Sequence, residues 1–329
     1  MMGMKGLSGL LSMFGRLLNG LPGKRPLWSM AKVELEMTDT QQAGEQRYTL
    51  RARDTAVVLG ADRQRHGLVS LTAPGLERNV VREPYFALNL YRIMHGGRLA
   101  AIARYEPFEL VYATESGLKL AWQPTEANPC RLEAEYTIVD EATVDLKLFL
   151  EAQQPLSNYE LTVSSYFDFA LEPYSVVPSW PGKTAEDDLL LLKLEDHPYI
   201  KGHYVYLPRD NSAAHTLLDG RWLDEKSGRP IAHFVTGPCY GVPAAVMGTE
   251  SLHIVQAARP DECRAIGITY SSPDESDIIR QHNALYFTLF GGDLEPGDRR
   301  TAAIRQTLVA GPPTLASVRR VYESLTEPG

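Results

Sequence analysis

The sequence predicts a mostly β protein: an antiparallel β-sandwich with few helices and one helix near the C-terminal end. The first observation is a long succession of short segments in which apolar and polar residues alternate, a pattern typical of strands that bury one face. The second is that turn residues separate these segments, as two packed antiparallel sheets require. The third is that few segments place their apolar residues at helical spacing.

The predicted strands follow one another along the chain. Before residue 170, alternation predicts the strands Lys32–Met37, Gln46–Arg53, Ala56–Leu59, Val69–Leu71, Phe108–Tyr112, Leu118–Trp122, Arg131–Ile138, Thr143–Leu150 and Tyr159–Phe169. In the last third it predicts the strands Leu252–Ala258, Arg264–Tyr270, Leu285–Phe290 and Thr301–Val309. These segments are short enough to be joined by hairpins, so we expect an antiparallel meander.

Helical signals are confined to two places. Thr314 is predicted to cap a helix over Leu315–Leu325, whose apolar residues recur at helical spacing. The residues Thr184–Asp187 resemble a capping box, but the following Leu189–Leu194 is equally consistent with a buried strand. The sequence leaves this second choice open.

The last two predicted strands are joined by Glu295-Pro296-Gly297-Asp298, a turn with a physical mechanism. Pro296 presets the backbone of the second turn position, and Gly297 accepts the positive φ that a type II turn requires at the third. An aromatic strand, a Gly-Asp-Leu exit, this turn and an Arg-bearing strand together resemble the C-terminal edge of the galactose-mutarotase-like β-supersandwich superfamily. That superfamily includes aldose epimerases and polysaccharide lyase domains. The resemblance implies a supersandwich fold and a carbohydrate ligand.

Composition narrows the function classes. The 329 residues include 41 Asp and Glu against 33 Lys and Arg, a formal net charge of −8. An acidic balance disfavours nucleic acid as a partner, because phosphates attract basic surfaces. The three cysteines are scattered and form neither a disulfide framework nor a CxxC metal pair. No apolar stretch is long enough for a transmembrane helix, and we expect a cytoplasmic protein.

The first 26 residues differ from the rest and are predicted to be an N-terminal extension or leader. Their apolar run, Leu7–Phe14, is too short to span a bilayer, and Gly20–Pro26 has the composition of a linker. One β-supersandwich domain is therefore predicted over residues 27–329. Its oligomeric state is left open.

The strand Tyr159–Phe169 and the loop after it give the first site residues. Alternation places every second residue from Tyr159 on the core face, and it places Tyr166 and Asp168 on the opposite face. That second face suits solvent or a ligand groove. The following loop is stiffened by prolines and carries Trp180 and Lys183, residues suited to the rim of a pocket. The alternative is that the tryptophan covers the end of the core.

The densest group of polar and aromatic side chains is Asp196–Asp210. Strand alternation puts His203 on one face and Tyr204 and Tyr206 on the other, with Arg209 close behind. The two histidines of this segment lie six residues apart, which is no standard ligand spacing, so no metal site is predicted. An imidazole that titrates near neutrality suits acid–base chemistry, and the alternative is a structural histidine.

Two further segments supply less central candidates. Arg82–Arg92, read as a strand, is rich in tyrosine and arginine, and Arg82 is taken as a site residue. His282 stands just before the aromatic strand Leu285–Phe290. A histidine at the entry to a strand lies at the rim of a sheet, where pockets form.

The resemblance implies two kinds of enzyme. An isomerase similar to aldose epimerases would use Asp168 or Glu172 as the base and His203 or His282 as the acid. A sugar lyase would instead combine tyrosine and histidine as base and acid, with an arginine that neutralises a uronate. The alternative is a non-catalytic β-sandwich that binds glycan or another protein.

The partner expected from these considerations is a sugar or oligosaccharide. No cofactor is predicted, since the chain contains neither a GxxxxGK[ST] phosphate loop nor a GxGxxG fingerprint after a strand. The predicted catalytic residues are His203, Asp168, Tyr206 and His282, and the predicted substrate-binding residues are Arg82, Tyr166, Trp180, Lys183, Tyr204 and Arg209.

Overall fold

Strands dominate the structure. The computed structural model describes residues 33–38, 47–52, 56–62, 65–72, 79–83, 85–114, 116–140, 142–179, 188–194, 204–224, 226–231, 234–269 and 282–326. These residues form twenty strands, two α-helices and a short 3-10 helix at Ala103–Tyr105.

The strands succeed one another with few helices between them. The first ten are β1 (Val33–Thr38), β2 (Arg47–Ala52), β3 (Ala56–Asp62), β4 (Arg65–Thr72), β5 (Asn89–His95), β6 (Arg98–Ile102), β7 (Glu109–Thr114), β8 (Gly117–Trp122), β9 (Cys130–Ile138) and β10 (Thr143–Ala152). The next ten are β11 (Leu156–Tyr166), β12 (Glu172–Pro178), β13 (Leu189–Lys193), β14 (Tyr204–Pro208), β15 (Phe234–Thr236), β16 (Ala244–Gly248), β17 (Leu252–Ala258), β18 (Cys263–Ile268), β19 (Ala284–Leu294) and β20 (Arg299–Ala310). The helices are α1 (Asn211–His215) and α2 (Leu315–Thr326).

Three sheets result. The first has the order β1-β2-β3-β4, the second β13-β12-β16-β17-β20-β10-β9-β8-β7, and the third β15-β14-β18-β19-β11-β5-β6. In the described part of the chain, every strand pairing is antiparallel except that of β14 with β15. The predicted mostly β, antiparallel sandwich with a C-terminal helix is confirmed.

The core lies between the nine-stranded and seven-stranded sheets. Strand β11 shows how its residues divide: Tyr159, Leu161 and Val163 are buried in this core, as alternation predicts. The expectation that Phe169 continues the core face is wrong, because β11 ends at Tyr166 and the Phe169 side chain is 43% exposed. Side chains alternate between two faces only while the backbone remains an extended strand, so the core face does not continue beyond the end of β11.

The segment Arg82–Arg92 also departs from its predicted strand. The extended strand β5 begins only at Asn89, and the backbone φ angles at Phe86 and Leu88 are +60° and +54°. Positive φ is incompatible with extended strand geometry, so the chain turns here. The open choice at Leu189–Leu194 is decided in favour of a strand, β13.

Two local predictions at the C-terminal end are confirmed. Gly297 has φ +85°, and the Asp298 amide donates to the Glu295 carbonyl at 3.0 Å, which closes the turn. The Thr314 hydroxyl accepts from the Ser317 amide at 3.1 Å and so caps α2. Helix α2 packs the apolar residues Val318 and Val321 against the outer face of the nine-stranded sheet.

All described strands and helices belong to one compact unit that begins at Lys32. The predicted N-terminal extension, residues 1–26, lies outside the described residues, and the domain boundary at residue 27 remains a prediction. Among the helices that the structure describes, none has the length and apolar character that crossing a membrane requires.

Candidate functional site

A pocket lies on the face of the seven-stranded sheet that points away from the core. A row of directly paired residues crosses the sheet at this place: Ser164 lies opposite Tyr286, Tyr286 opposite Gly267, and Gly267 opposite Tyr206. The last three of these residues line the pocket. Gly267 has no side chain, and the Tyr286 side chain lies over it, with Tyr286 Cβ 3.3 Å from the position that a Cβ at residue 267 would take. The register of three neighbouring strands thus brings Tyr206, Gly267 and Tyr286 together in the pocket.

This space, the tyrosine pocket, has a volume of about 460 Å³, including the part open to solvent. The pocket is lined by Tyr91, Arg92, Thr162, Tyr166, Tyr204, Tyr206, Trp222, Phe234, Gly267, His282, Tyr286 and Thr288.

One side of the pocket is closed by the covering segment, residues 209–224, which follows β14. Its Trp222 ring packs against Phe234 with ring centroids 4.5 Å apart. The Thr216 hydroxyl lies 3.3 Å from the Tyr206 hydroxyl and links the segment to the sheet. These contacts hold an aromatic wall above the polar face of the sheet.

A buried cluster of charges anchors the covering segment. Glu160 on β11 is fully buried and lies 2.6 Å from Arg221 and 3.0 Å from Arg264, nitrogen to oxygen. Arg221, itself fully buried, also pairs with Asp219 at 2.7 Å. Burial raises the pKa of Glu160, and the two guanidiniums act against this rise. Two carboxylates and two guanidiniums balance one another, so the cluster adds no net charge beside the pocket.

The tyrosines form a connected group. The Tyr286 hydroxyl donates to the Tyr166 hydroxyl at 3.2 Å, and the Tyr204 and Tyr286 ring centroids are 6.0 Å apart. Burial raises the pKa of Tyr204 to about 12, and it raises the pKa values of Tyr166 and Tyr286. All three hydroxyls therefore stay protonated at neutral pH and remain available as proton donors.

His282 lies beside Tyr204, with ring centroids 6.0 Å apart. Burial lowers its pKa, and the charges of Arg82 and Arg92 lower it further. The imidazole is thus neutral at physiological pH and able to accept a proton. Its Nδ1 atom is buried without a hydrogen-bond partner.

Guanidiniums surround the pocket. Arg92 lies over the rings of Tyr91 and Trp222, at 4.7 and 5.2 Å from their centroids. Arg104 lies 3.9 Å over the Tyr91 ring and donates to the Ser164 hydroxyl at 3.0 Å. The lining residues that the structure describes include no carboxylate.

Four predicted site residues meet in the tyrosine pocket: Tyr166, Tyr204, Tyr206 and His282. Arg82 lies close by, since its charge acts on His282, but its guanidinium stacks 4.0 Å over the Phe169 ring. Two predicted features are responsible: the polar face of β11, which carries Tyr166, and the position of His282 at the rim of the sheet.

Other predicted residues do not line the pocket. The Asp168 carboxylate accepts from the Ala170 amide at 2.8 Å and thereby stabilises the turn after β11. Glu172 pairs with Lys193 at 2.7 Å on the nine-stranded sheet.

Arg209 follows the end of β14, and strand alternation places it on the face opposite to that of Tyr204 and Tyr206. Its guanidinium pairs with Asp210 at 2.9 Å. The remaining three predicted residues, Trp180, Lys183 and His203, lie outside the described residues.

Several lining residues were not among those predicted from the sequence: Tyr91, Arg92, Trp222, Phe234 and Tyr286. A signal for Tyr286 existed, because it lies in the predicted strand Leu285–Phe290, between the apolar residues Leu285 and Phe287. Trp222 stands alone in a polar loop, and nothing in its local sequence indicates that the loop folds back over the sheet. In the described residues, no cluster of three His, Cys, Asp or Glu side chains is arranged to hold a metal ion.

The chain has the galactose mutarotase-like fold. It superposes on a galactose 1-epimerase from Lactobacillus acidophilus with a TM-score of 0.51 and 10% sequence identity, over 85% of this chain and 99% of that one. It is similarly related to a GalM/aldose epimerase homologue from C. elegans, with a TM-score of 0.50, 11% identity, and coverage of 82% and 100%. No protein-family model and no curated protein matches the sequence. At these identities the similarity concerns the fold alone.

Proposed function

We propose that the protein binds a carbohydrate in the tyrosine pocket. The observation that carries the proposal is that aromatic rings and unpartnered buried polar atoms line the same concave space. Sugars offer C–H surfaces to aromatic rings and hydroxyls to hydrogen-bonding groups. The fold supports the same ligand class, since the galactose 1-epimerase named above acts on a sugar.

The pocket also contains groups suited to acid–base chemistry. His282, neutral at physiological pH, is the candidate base, and the protonated hydroxyls of Tyr166 and Tyr286 are candidate acids. An epimerase would need a carboxylate base, and Asp168 and Glu172 are engaged elsewhere. A tyrosine and histidine pair is the combination expected of a sugar lyase. We therefore place elimination before epimerisation among the possible reactions.

A non-catalytic sugar-binding module is the second candidate function. It is favoured by the absence of a carboxylate from the described lining and by the raised pKa values of Tyr166 and Tyr286, which keep their hydroxyls protonated at neutral pH and so prevent them from acting as bases. Binding is common to both candidates, so it is the property to test first.

The first test is a screen of neutral sugars and sugar acids by thermal unfolding, followed by calorimetric titration. A ligand at one hundred times its dissociation constant is expected to stabilise the protein by about 2.7 kcal/mol. Hits are then incubated with the protein, and NMR follows exchange between anomers or the appearance of an unsaturated product. Binding without either reaction would favour the second candidate.

We expect Tyr204→Ala to weaken sugar binding about tenfold, because the change removes a ring from the pocket wall. The matched control is Tyr112→Ala, since Tyr112 is 37% exposed on the edge strand β7, outside the pocket. The control should bind as the wild type does. Equal affinities of both variants and the wild type would contradict the proposed location of the site.

A further inference from the structure

Four buried polar atoms of the pocket have no hydrogen-bond partner, and each of them is able to donate a hydrogen bond. Arg92 Nε and Trp222 Nε1 are buried and make no hydrogen bond, and the same holds for Thr162 Oγ1 and His282 Nδ1. The first two are donors only, and the other two are able to donate or accept. Trp222 is 7% exposed and Thr162 2% exposed, so water satisfies neither side chain from bulk solvent. A ligand that forms hydrogen bonds with all of these atoms must supply acceptor atoms.

The charges around the pocket favour an acceptor that is negative. Arg92 lines it, and Arg104 lies behind the ring of Tyr91. The carboxylate of Glu160, on the same face of β11, is already neutralised by its two guanidinium partners. Among the residues that the structure describes, the pocket lining is therefore cationic, although the chain has a net charge of −8.

We propose that the bound sugar carries an oxyanion, a carboxylate or a sulfate ester, whose oxygens accept hydrogen bonds from Arg92 Nε and Trp222 Nε1. This inference rests on the proposed function and specifies its ligand class. Charge-assisted hydrogen bonds from a guanidinium to an oxyanion are among the strongest polar contacts in proteins. The tyrosine rings then contact the uncharged part of the sugar.

The test uses two matched series that differ only at C6: glucose and galactose, their uronic acids, and their 6-sulfates. Affinities are measured by calorimetric titration of the full chain. The wild type is expected to bind at least one anionic member about tenfold more tightly than its neutral counterpart. The comparison of uronate with sulfate identifies which oxyanion fits.

Arg92→Gln is expected to abolish this preference, so that the anionic sugar and its neutral counterpart bind the variant with similar affinity, because the guanidinium that faces the oxyanion is gone. The control is Arg299→Gln, since Arg299 has a 78% exposed side chain on β20 and its loss changes the net charge equally. Trp222→Phe keeps an aromatic ring in place and removes the Nε1 donor, so it should also reduce the preference. Thermal unfolding of each variant verifies that it is folded. If Arg92→Gln does not fold, Trp222→Phe is the variant that tests the proposal.

The outcomes separate the two proposals. If neutral sugars bind as well as the anionic ones, the oxyanion inference is wrong and the proposed function stands. If inorganic sulfate binds through Arg92 and no sugar of either series binds, the pocket is an anion site and the carbohydrate function is wrong. If no sugar and no sulfate binds, both proposals fail.

Discussion

Replacing Glu160 with Gln is expected to lower the free energy of unfolding by about 3–5 kcal/mol, because it breaks a buried ion-pair cluster. The change keeps the size of the side chain and removes the charge that both Arg221 and Arg264 face. Arg221 is fully buried, so water cannot replace the lost partner. Denaturant unfolding monitored by fluorescence measures the effect.

The matched control is Glu151→Gln. Glu151 also forms an ion pair with an arginine, Arg299, at 3.3 Å, but the two side chains are 34% and 78% exposed. Exposed pairs contribute little, so we expect a loss below about 1 kcal/mol. Equal losses for the two variants would show that the Glu160 cluster does not form as described. Because Glu160 anchors the segment that carries Trp222, its variant should also bind sugar more weakly.

Acidification is expected to destabilise the protein through His66, a fully buried histidine on β4. Its Nε2 atom accepts a hydrogen bond from the Leu90 amide at 2.9 Å, so the ring must be neutral. Burial, with a smaller effect from Arg104, lowers its pKa from 6.5 to about 3. The unfolded chain binds this proton at a higher pH than the folded protein does. The stability that depends on neutral His66 is therefore complete above about pH 6.5 and is lost as the pH falls toward 3.

The expected loss of stability on acidification follows from the lowered pKa of His66. Between about pH 7 and pH 4, protonation of the unfolded chain at this position removes about 3 kcal/mol of stability. His66→Gln lacks the titrating group, so the variant should lose about that much less than the wild type over the same interval. The control is His215→Gln, which changes an exposed histidine in α1. Parallel pH profiles of wild type and His66→Gln would contradict this account.

Much of the fold could be predicted because it is encoded locally. Alternation along β9 reports the face that the strand buries, since the side-chain period of a strand matches the period of the pattern. The turn at Gly297 and the cap at Thr314 are likewise local, because they depend on the backbone preferences and hydroxyl of the residues present. Where a local feature interrupts the pattern, as at Phe86 and Leu88, the strand prediction failed.

The candidate site could be predicted only in part. Tyr204 and Tyr206 were found because they share a face of one strand, and His282 because it precedes another. Asp168 was expected beside them since it lies two residues beyond Tyr166, but the strand ends and its carboxylate turns to Ala170. The closeness of Asp168 to Tyr166 in the sequence suggested that both line the pocket, but β11 ends before Asp168.

By itself, the sequence determined that this protein is an antiparallel β-sandwich with a polar, aromatic face on β11. Only the tertiary structure decided what lies on that face. The pairing of β11, β19, β18 and β14 aligned Ser164, Tyr286, Gly267 and Tyr206 in one row, and the loop with Trp222 closed over it. Strand register and loop packing depend on contacts between residues far apart in the chain. Alternation within a single segment carries no information about such contacts.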